Sequence, residues 1–195
     1  MFANRYTAFI DACALAGALK RNLLLTLAAA GFFRRWSRPV LDETQAAIRD
    51  ILSNKGDPDP AAAALRARGA MERAFEDATV DGFDDFLALC AWLPDQTDAH
   101  VLAAALKTKA DVLVTDNVKH FPAERLAAFG LDVRTADAFI ADTAMLDEGR
   151  AVPAIRQMRE EFQRPHLTAD KLLLRMEAVG LTETVDVLRL HVQSL

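Results

Sequence analysis

The sequence DVLVTDNVKHF, residues 111–121, contains the stretch that decides the fold: an apolar run, Val112-Leu113-Val114, followed at once by the corner Thr115-Asp116-Asn117. A short unbroken run of β-forming residues predicts a strand, and Thr-Asp-Asn predicts the turn that ends it. An acidic residue at such a turn has a purely structural explanation. It becomes a functional candidate only if acids from other parts of the chain converge on it.

Strands and helices alternate on both sides of this stretch. The predicted strands are residues 6–10, 78–80, 111–115 and 131–134, and the predicted helices are residues 20–30, 37–52, 59–75, 84–91, 98–110, 122–129 and 136–146. This alternation predicts an α/β fold with a mainly parallel sheet covered by helices on both faces. Right-handed crossovers place all strand C-termini at one edge, where open α/β sheets bind ligands. Asp11, after the first strand, and the Thr115 corner should both lie at that edge.

The last part of the sequence predicts helices only, over residues 154–162, 168–179 and 182–192. We therefore predict an α/β domain over residues 1–146 and a C-terminal all-helical extension over residues 147–195. The last two helices superficially suggest a helix-turn-helix, but the region holds as many acidic as basic residues. A DNA-binding unit usually has a basic surface, so packing on the domain, a second protomer or a partner is favoured.

Composition narrows the classes of function. With 195 residues, 52% of them hydrophobic and 26% charged, the chain fits one core-forming domain with a small appendage. A net charge of −5 argues against holding nucleic acid by bulk electrostatics, so a polyphosphate partner would require a divalent cation. The cysteines and histidines lack zinc-ligand spacing, and two distant cysteines favour a reduced, intracellular protein. The apolar segment 22–33 is too short to cross a bilayer, so we predict a cytoplasmic protein with no membrane partner.

Four acidic positions follow strands or begin helices. Asp11 ends the first strand, Glu43 lies one turn into the helix that Ser37 caps, Asp98 opens an alanine-rich helix, and Asp116 follows the strand quoted above. Each position alone is explained by turn or helix-end preferences. Together they supply carboxylate oxygens from separate elements at one sheet edge, which suits Mg²⁺ or Mn²⁺. Without a cation the acids would repel one another; with one or two bound, the cluster could activate water against a phosphodiester.

Four segments in this order resemble a PIN domain, and in particular the VapC-like toxins of bacterial toxin–antitoxin pairs. They are Phe9-Ile10-Asp11, Trp36-Ser37 with Glu43 in the following helix, Leu93 to Ala105, and Leu113 to Pro122. The resemblance covers about residues 5–145. It implies a Mg²⁺- or Mn²⁺-dependent endoribonuclease with a three-layer α/β fold, an RNA substrate, a cognate antitoxin protein as partner, and a homodimer.

The resemblance also assigns roles to individual residues. Asp11, Glu43 and Asp98 match the first three metal-binding acids of the family, and Asp95 is an auxiliary acid. Asp11 and Asp98 are expected to hold the first metal ion.

The fourth position departs from the family pattern. Many members place an acid two residues after the threonine, where this sequence has Asn117, and Asp116 lies one residue early. The carbonyl of Asn117 can still bind a metal ion or its water, so the number of metal ions stays open. Thr115 is expected to orient the corner through its hydroxyl. The catalytic candidates are therefore Asp11, Glu43, Asp98 and Asp116, and the metal-ligand candidates are these four together with Asn117.

Basic residues near the acids are candidates for phosphate contacts. The run Arg34-Arg35-Trp36-Ser37-Arg38 precedes an acid-bearing helix, and Lys119 follows the corner of the quoted strand. The predicted RNA-binding residues are Arg34, Arg35, Arg38 and Lys119. Trp36 either stacks on a base or lies in the core, and the sequence does not separate these alternatives.

Several functions stay open at this point. The favoured one is the metal-dependent ribonuclease. Because Asn117 replaces an acid, a catalytically impaired PIN-like module that binds RNA or a protein is the alternative, and a DNA-directed nuclease or phosphatase would use the same metal cluster. Among the histidines, His100 is expected to be structural and His120 to be a weak candidate for a general base.

Overall fold

The computed structural model describes residues 6–31, 33–162 and 167–195. Five strands form one sheet: β1 (Thr7–Ile10), β2 (Phe33–Ser37), β3 (Thr79–Val80), β4 (Val112–Val114) and β5 (Asp132–Arg134). Their order is β3-β2-β1-β4-β5, and every neighbouring pair is parallel. The predicted α/β fold with a parallel sheet is confirmed.

Ten helices are described in the same ranges. They are α1 (Ala12–Ala16), α2 (Ala18–Gly31), α3 (Arg38–Asn54), α4 (Pro60–Ala74), α5 (Ala99–Lys107), α6 (Ala123–Ala127), α7 (Ala136–Leu146), α8 (Glu148–Glu160), α9 (Ala169–Ala178) and α10 (Thr182–Arg189). Short 3-10 helices cover Asp84–Cys90, Gln96–Asp98 and Val118–His120. Ser37 and Asp59 cap α3 and α4 through their side chains, each followed by a proline in the first turn. The cap at Ser37 was predicted, and the same reason holds at Asp59: Ser and Asp side chains accept from free N–H groups, and proline has no N–H to satisfy.

The centre of the sheet is apolar at nearly every position. Phe9, Ile10 and Leu113 on β1 and β4 are fully buried, which is the pattern of parallel strands covered on both faces. Burying each such side chain contributes about 1.5–3 kcal/mol. The paired residues Ile10 and Val114 end their strands side by side, so Asp11 and Thr115, the next residues of each chain segment, emerge at the same edge of the sheet.

Strand β2 was not predicted, because its two arginines are typical of a solvated loop. The strand is interior, between β1 and β3, and Trp36 is fully buried in the core. Its ring packs edge-on against Phe75, with 6.0 Å between centroids. The core alternative for Trp36 is therefore correct, and its alternative role as a base-stacking surface is wrong.

The helical region after residue 146 begins earlier than predicted. Helix α8 starts at Glu148 and contains Pro153, which the sequence analysis took to precede the helix. Asp147 accepts a hydrogen bond from the backbone N–H of Arg150 and so caps this helix. Pro153 is exposed and lies in the second turn of α8, where the helix does without the hydrogen bond that a backbone N–H at this position would donate to the carbonyl of Gly149.

The C-terminal helices pack on the α/β domain. Helix α10 lies against α7, and α8 lies against α2. The domain boundary at residue 147 remains a prediction. Within the described residues, no helix combines the length and apolar character needed to cross a membrane.

Candidate metal centre

Asp11 is the most buried acid of the predicted set. Only 4% of the residue is exposed. Its carboxylate accepts hydrogen bonds from the Thr115 hydroxyl at 2.7 Å, the backbone N–H of Ala12 at 2.6 Å and the Cys13 thiol at 3.1 Å. The bond to Ala12 also caps α1, so the start of that helix fixes where the acid lies.

The electrostatic surroundings of Asp11 disfavour its charge. Burial raises the pKa of Asp11 above its ordinary value and the charge of Asp98 adds to the rise, although hydrogen bonds from Thr115, Cys13 and Ala12 oppose it. All three donors are neutral, and no described residue forms an ion pair with Asp11. A buried carboxylate without a counter-charge fits a bound cation, and its oxygens are the ligands that Mg²⁺ and Mn²⁺ prefer.

Glu43 reaches the cluster from α3 through a histidine. Nε2 of His100, in the first turn of α5, lies 2.9 Å from the carboxylate of Glu43. Burial alone would lower the pKa of His100, but the hydrogen bond and charge of Glu43, with the charges of Asp11 and Asp98, outweigh it and raise the pKa. The charges of all three predicted metal-binding acids therefore act on the pKa of His100.

Asp98 and Asp95 both lie near a second histidine, His120. Nδ1 of His120 lies 2.7 Å from Asp98 and 3.9 Å from Asp95. One potential ligand atom from each of these three residues lies within 4.8 Å of the others. Asp95 also accepts hydrogen bonds from the backbone N–H and hydroxyl of Thr97, which lower its pKa.

The Thr115 hydroxyl links the corner to Asp11. It donates to the Asp11 carboxylate, accepts from the backbone N–H of Asn117 at 3.1 Å and contacts the Cys13 thiol at 3.3 Å. Thr115 is fully buried. Its side chain therefore ties the turn after β4 to the acid after β1.

Asp116 is already engaged on both of its oxygens. One oxygen forms an ion pair with Lys20 of α2 at 2.7 Å, and the other accepts from the backbone N–H of Ala136 at the start of α7 at 3.1 Å. These contacts give Asp116 a structural role in joining β4, α2 and α7. Asn117 begins the 3-10 helix Val118–His120 without capping it through its side chain.

The predicted RNA-binding residues divide into two groups. Arg34 and Arg35 both pair with Asp77, at 2.5 and 3.5 Å, and the Arg34 guanidinium lies 4.1 Å from the centre of the Phe75 ring. Arg38, at the start of α3, is exposed and has only a long contact of 3.7 Å with Asp81. Lys119 is exposed beside the corner, and the described part of the chain offers it no ion pair.

Two neighbours of the site, Cys13 and Lys20, were not predicted, and His120 was considered only as a weak candidate for a general base. Cys13 follows Asp11 by two residues, so its place in the first turn of α1 was a usable signal. The spacing of His120, three residues after Asn117, could have indicated a return toward the acids. Nothing in the sequence pointed to Lys20, because its partner Asp116 lies 96 residues away.

Comparison with known families agrees with this architecture. Residues 7–119 match the family model described as PIN domain, and residues 136–190 match the model described as VapC50 C-terminal domain. Because the first match covers more than half of the 195 residues, the chain belongs to the PIN domain family. The resemblance found in the sequence is confirmed.

One curated relative is the Mycobacterium tuberculosis protein named "Putative ribonuclease VapC50", which is 35% identical over 92 residues. The match covers 47% of this chain and 53% of the relative, so the chain spans about half the length of the curated protein it matches. No solved structure matches the chain.

Proposed function

We propose that this chain is a Mg²⁺- or Mn²⁺-dependent endoribonuclease and acts as the toxin of a toxin–antitoxin pair. The observation that carries the proposal is the buried Asp11 carboxylate, which has only neutral hydrogen-bond donors among the described residues and lies within electrostatic reach of Asp98. Membership of the PIN domain family and the name of the M. tuberculosis relative support ribonuclease activity.

The residues proposed to hold the cation are Asp11, Asp98 and Glu43. When bound, Mg²⁺ or Mn²⁺ supplies Lewis-acid chemistry that activates water and offsets charge on a phosphodiester. Thr115 orients Asp11 by donating to one of its oxygens. We assign Asn117, with its amide carbonyl, to the edge of the same site and give Asp116 the structural role that its contacts with Lys20 and Ala136 indicate.

RNA binding is proposed to rest on few basic contacts. Arg38 and Lys119 are exposed and follow β2 and β4 at the carboxyl edge of the sheet, so they are the preferred phosphate contacts. Arg34 and Arg35 already form ion pairs with Asp77, so they have a structural role. With a net charge of −5, the protein depends on its cation to approach a phosphate backbone.

An RNA cleavage assay tests the proposal. Single-stranded and structured RNA are incubated with wild type in Mn²⁺, wild type in EDTA, and Asp11→Asn in Mn²⁺. Asp186→Asn on α10 is the matched control, since it removes the same charge at an exposed position on the C-terminal extension. Cleavage by wild type and by the Asp186 variant in Mn²⁺ alone is expected. Equal cleavage in all samples would place the activity elsewhere or in a contaminant.

A catalytically impaired binding module is the second candidate, because Asn117 carries no charge and both oxygens of Asp116 are engaged. Calorimetry with Mn²⁺ separates it from the nuclease. Heat of binding at micromolar to millimolar Mn²⁺ is expected for the nuclease. No heat in that range would favour the binding module.

We further propose a cognate antitoxin, a homodimer and a cytoplasmic location. The match of residues 136–190 to the VapC50 C-terminal domain supports assignment to a toxin system. A small protein encoded beside this gene should co-purify with it. Analytical ultracentrifugation of the protein alone should give the mass of a dimer, and a monomer at all concentrations would reject that part of the proposal.

A further inference from the structure

Two histidines each contact one of the proposed metal ligands. His100 belongs to the first turn of α5 and contacts Glu43; His120 ends the 3-10 helix Val118–His120 and contacts Asp98. A carboxylate that is ionised only accepts hydrogen bonds, so in both pairs the ring nitrogen is the donor. Each bond therefore occupies one carboxylate oxygen and leaves the second oxygen of that group for another partner.

We infer that His100 and His120 are positioning residues, which hold the carboxylates of Glu43 and Asp98 in the orientation that binds the cation. The inference rests on the proposed function. Histidine and carboxylate partners behind metal ligands commonly fix ligand orientation, and their loss typically weakens metal binding about 10- to 100-fold.

Glu43 needs such support more than the other acids. Its side chain is 51% exposed, whereas that of His100 is 19% exposed. A glutamate on a helix surface has three rotatable bonds, and fixing them costs conformational entropy each time a ligand binds. Because the ring is the more enclosed partner, His100 determines where the Glu43 carboxylate lies before a cation arrives.

His120 performs the corresponding role for Asp98. The two side chains are 27% and 18% exposed, and the 2.7 Å separation is that of a strong, charge-assisted hydrogen bond. The 3.9 Å distance from the same nitrogen to Asp95 is too long for a hydrogen bond. Nδ1 is thus committed to Asp98 as a donor, so in this arrangement it has no lone pair to offer a metal ion.

Amide substitutions distinguish positioning from direct metal binding. His100 uses Nε2, whose place the glutamine amide nitrogen can take, and His120 uses Nδ1, whose place the asparagine amide nitrogen can take. We would measure Mn²⁺ and Zn²⁺ affinity by calorimetry on the full chain for the alanine variant, the matched amide and the mismatched amide at each position. At His100 these are His100→Ala, His100→Gln and His100→Asn; at His120 they are His120→Ala, His120→Asn and His120→Gln.

The inference predicts that each alanine variant binds Mn²⁺ about tenfold more weakly than wild type. The matched amide should restore most of the affinity and the mismatched amide should not. His191→Ala is the control, because Nε2 of His191 lies 3.3 Å from the Glu148 carboxylate in the C-terminal helices, so the variant removes a histidine next to an acid away from the cluster. That variant should bind Mn²⁺ as wild type does, and circular dichroism of each variant checks its fold.

Three results would overturn the inference. Wild-type Mn²⁺ affinity in the alanine variants would show that neither ring positions a ligand. Failure of both amides together with a selective loss of Zn²⁺ affinity would make the histidine a direct ligand, because imidazole favours zinc over manganese. If wild type itself binds no Mn²⁺, the proposed function fails as well, which separates that case from the first two.

Discussion

Asp11 and Asp137 are both buried, but they have different roles. Asp11 is 4% exposed and Asp137 is 8% exposed. Asp137, in the first turn of α7, accepts hydrogen bonds from the backbone N–H groups of Glu183 and Thr184 and from the Thr184 hydroxyl, at 2.7–2.9 Å. It thereby caps the start of α10 and joins the α/β domain to the C-terminal helices.

The difference lies in what surrounds each charge. Asp137 faces the N-terminal end of α10, where free N–H groups and the helix dipole favour a negative charge. Asp11 faces neutral donors and the charge of Asp98, which together with burial leave the pKa of Asp11 raised. Burial alone therefore does not mark a functional acid. A buried acid whose charge is not compensated does mark a functional acid. The uncompensated charge lowers the stability of the fold, and a bound cation would remove that loss.

The largest effect should come from removing the charge of Asp11. Asp11→Asn is expected to reduce RNA cleavage about a thousandfold, since metal-ion stabilisation of phosphoryl chemistry contributes several kcal/mol. The Thr115 contact can persist with an amide, so the fold should be retained. Cleavage rates at saturating Mn²⁺ give the answer. A cleavage rate within a few-fold of wild type would contradict the role of Asp11 as a metal ligand, and with it the functional difference between Asp11 and Asp137.

The opposite result is expected at the structural aspartate. Asp137→Ala leaves N–H groups of α10 without a buried partner and should lower the free energy of unfolding by about 3 kcal/mol. The melting temperature should then fall by roughly 10 °C. Denaturant and thermal melts measure this, and RNA cleavage below the transition should stay near wild type. A free energy of unfolding equal to that of wild type would show that Asp137 does not stabilise the start of α10.

Removing the charge of Asp11 should stabilise the metal-free protein, whereas Asp137→Ala should destabilise it. A carboxyl group whose pKa is raised binds its proton more tightly in the folded state, so stability falls as pH rises from its ordinary pKa through the raised value. The full cost is present once the pH exceeds the raised pKa of Asp11. Asp11→Asn should therefore melt a few degrees above wild type at pH 7 in EDTA, and the gap should close toward acid pH.

Mn²⁺ gives the complementary result for the same variant. It should raise the melting temperature of wild type by binding the folded state and leave Asp11→Asn unchanged. A variant less stable than wild type in EDTA at pH 7 would mean that the Asp11 charge is compensated after all.

The smallest effect concerns the thiol beside Asp11. Burial, then the charge of Asp11, raises the pKa of Cys13 to about 12, and burial raises that of Cys90 to about 11. Both cysteines should react with iodoacetamide at pH 8 far more slowly than in the denatured protein, because the thiolate is the nucleophile. In Asp11→Asn the modification of Cys13, followed by mass spectrometry, should become faster. Rapid modification of Cys13 in wild type would contradict this environment.

The sequence predicted the elements that place the site but not the contacts that tune it. Short apolar strands that end in Asp11 and in the Thr115 corner identify the sheet edge, because strand ends are local signals. The strand β2 was missed, since its arginines are held by Asp77, a partner over forty residues away. Likewise, the ion pair of Lys20 with Asp116 is a product of tertiary packing that no local pattern encodes.

The most direct measurement is anomalous X-ray diffraction from a crystal soaked in Mn²⁺. We predict a manganese peak bound by carboxylate oxygens of Asp11 and Asp98, with Glu43 beside it and no peak at Asp137. A map without anomalous density next to Asp11, at Mn²⁺ concentrations that saturate PIN-type chemistry in solution, would contradict the assignment of this cluster as a metal centre.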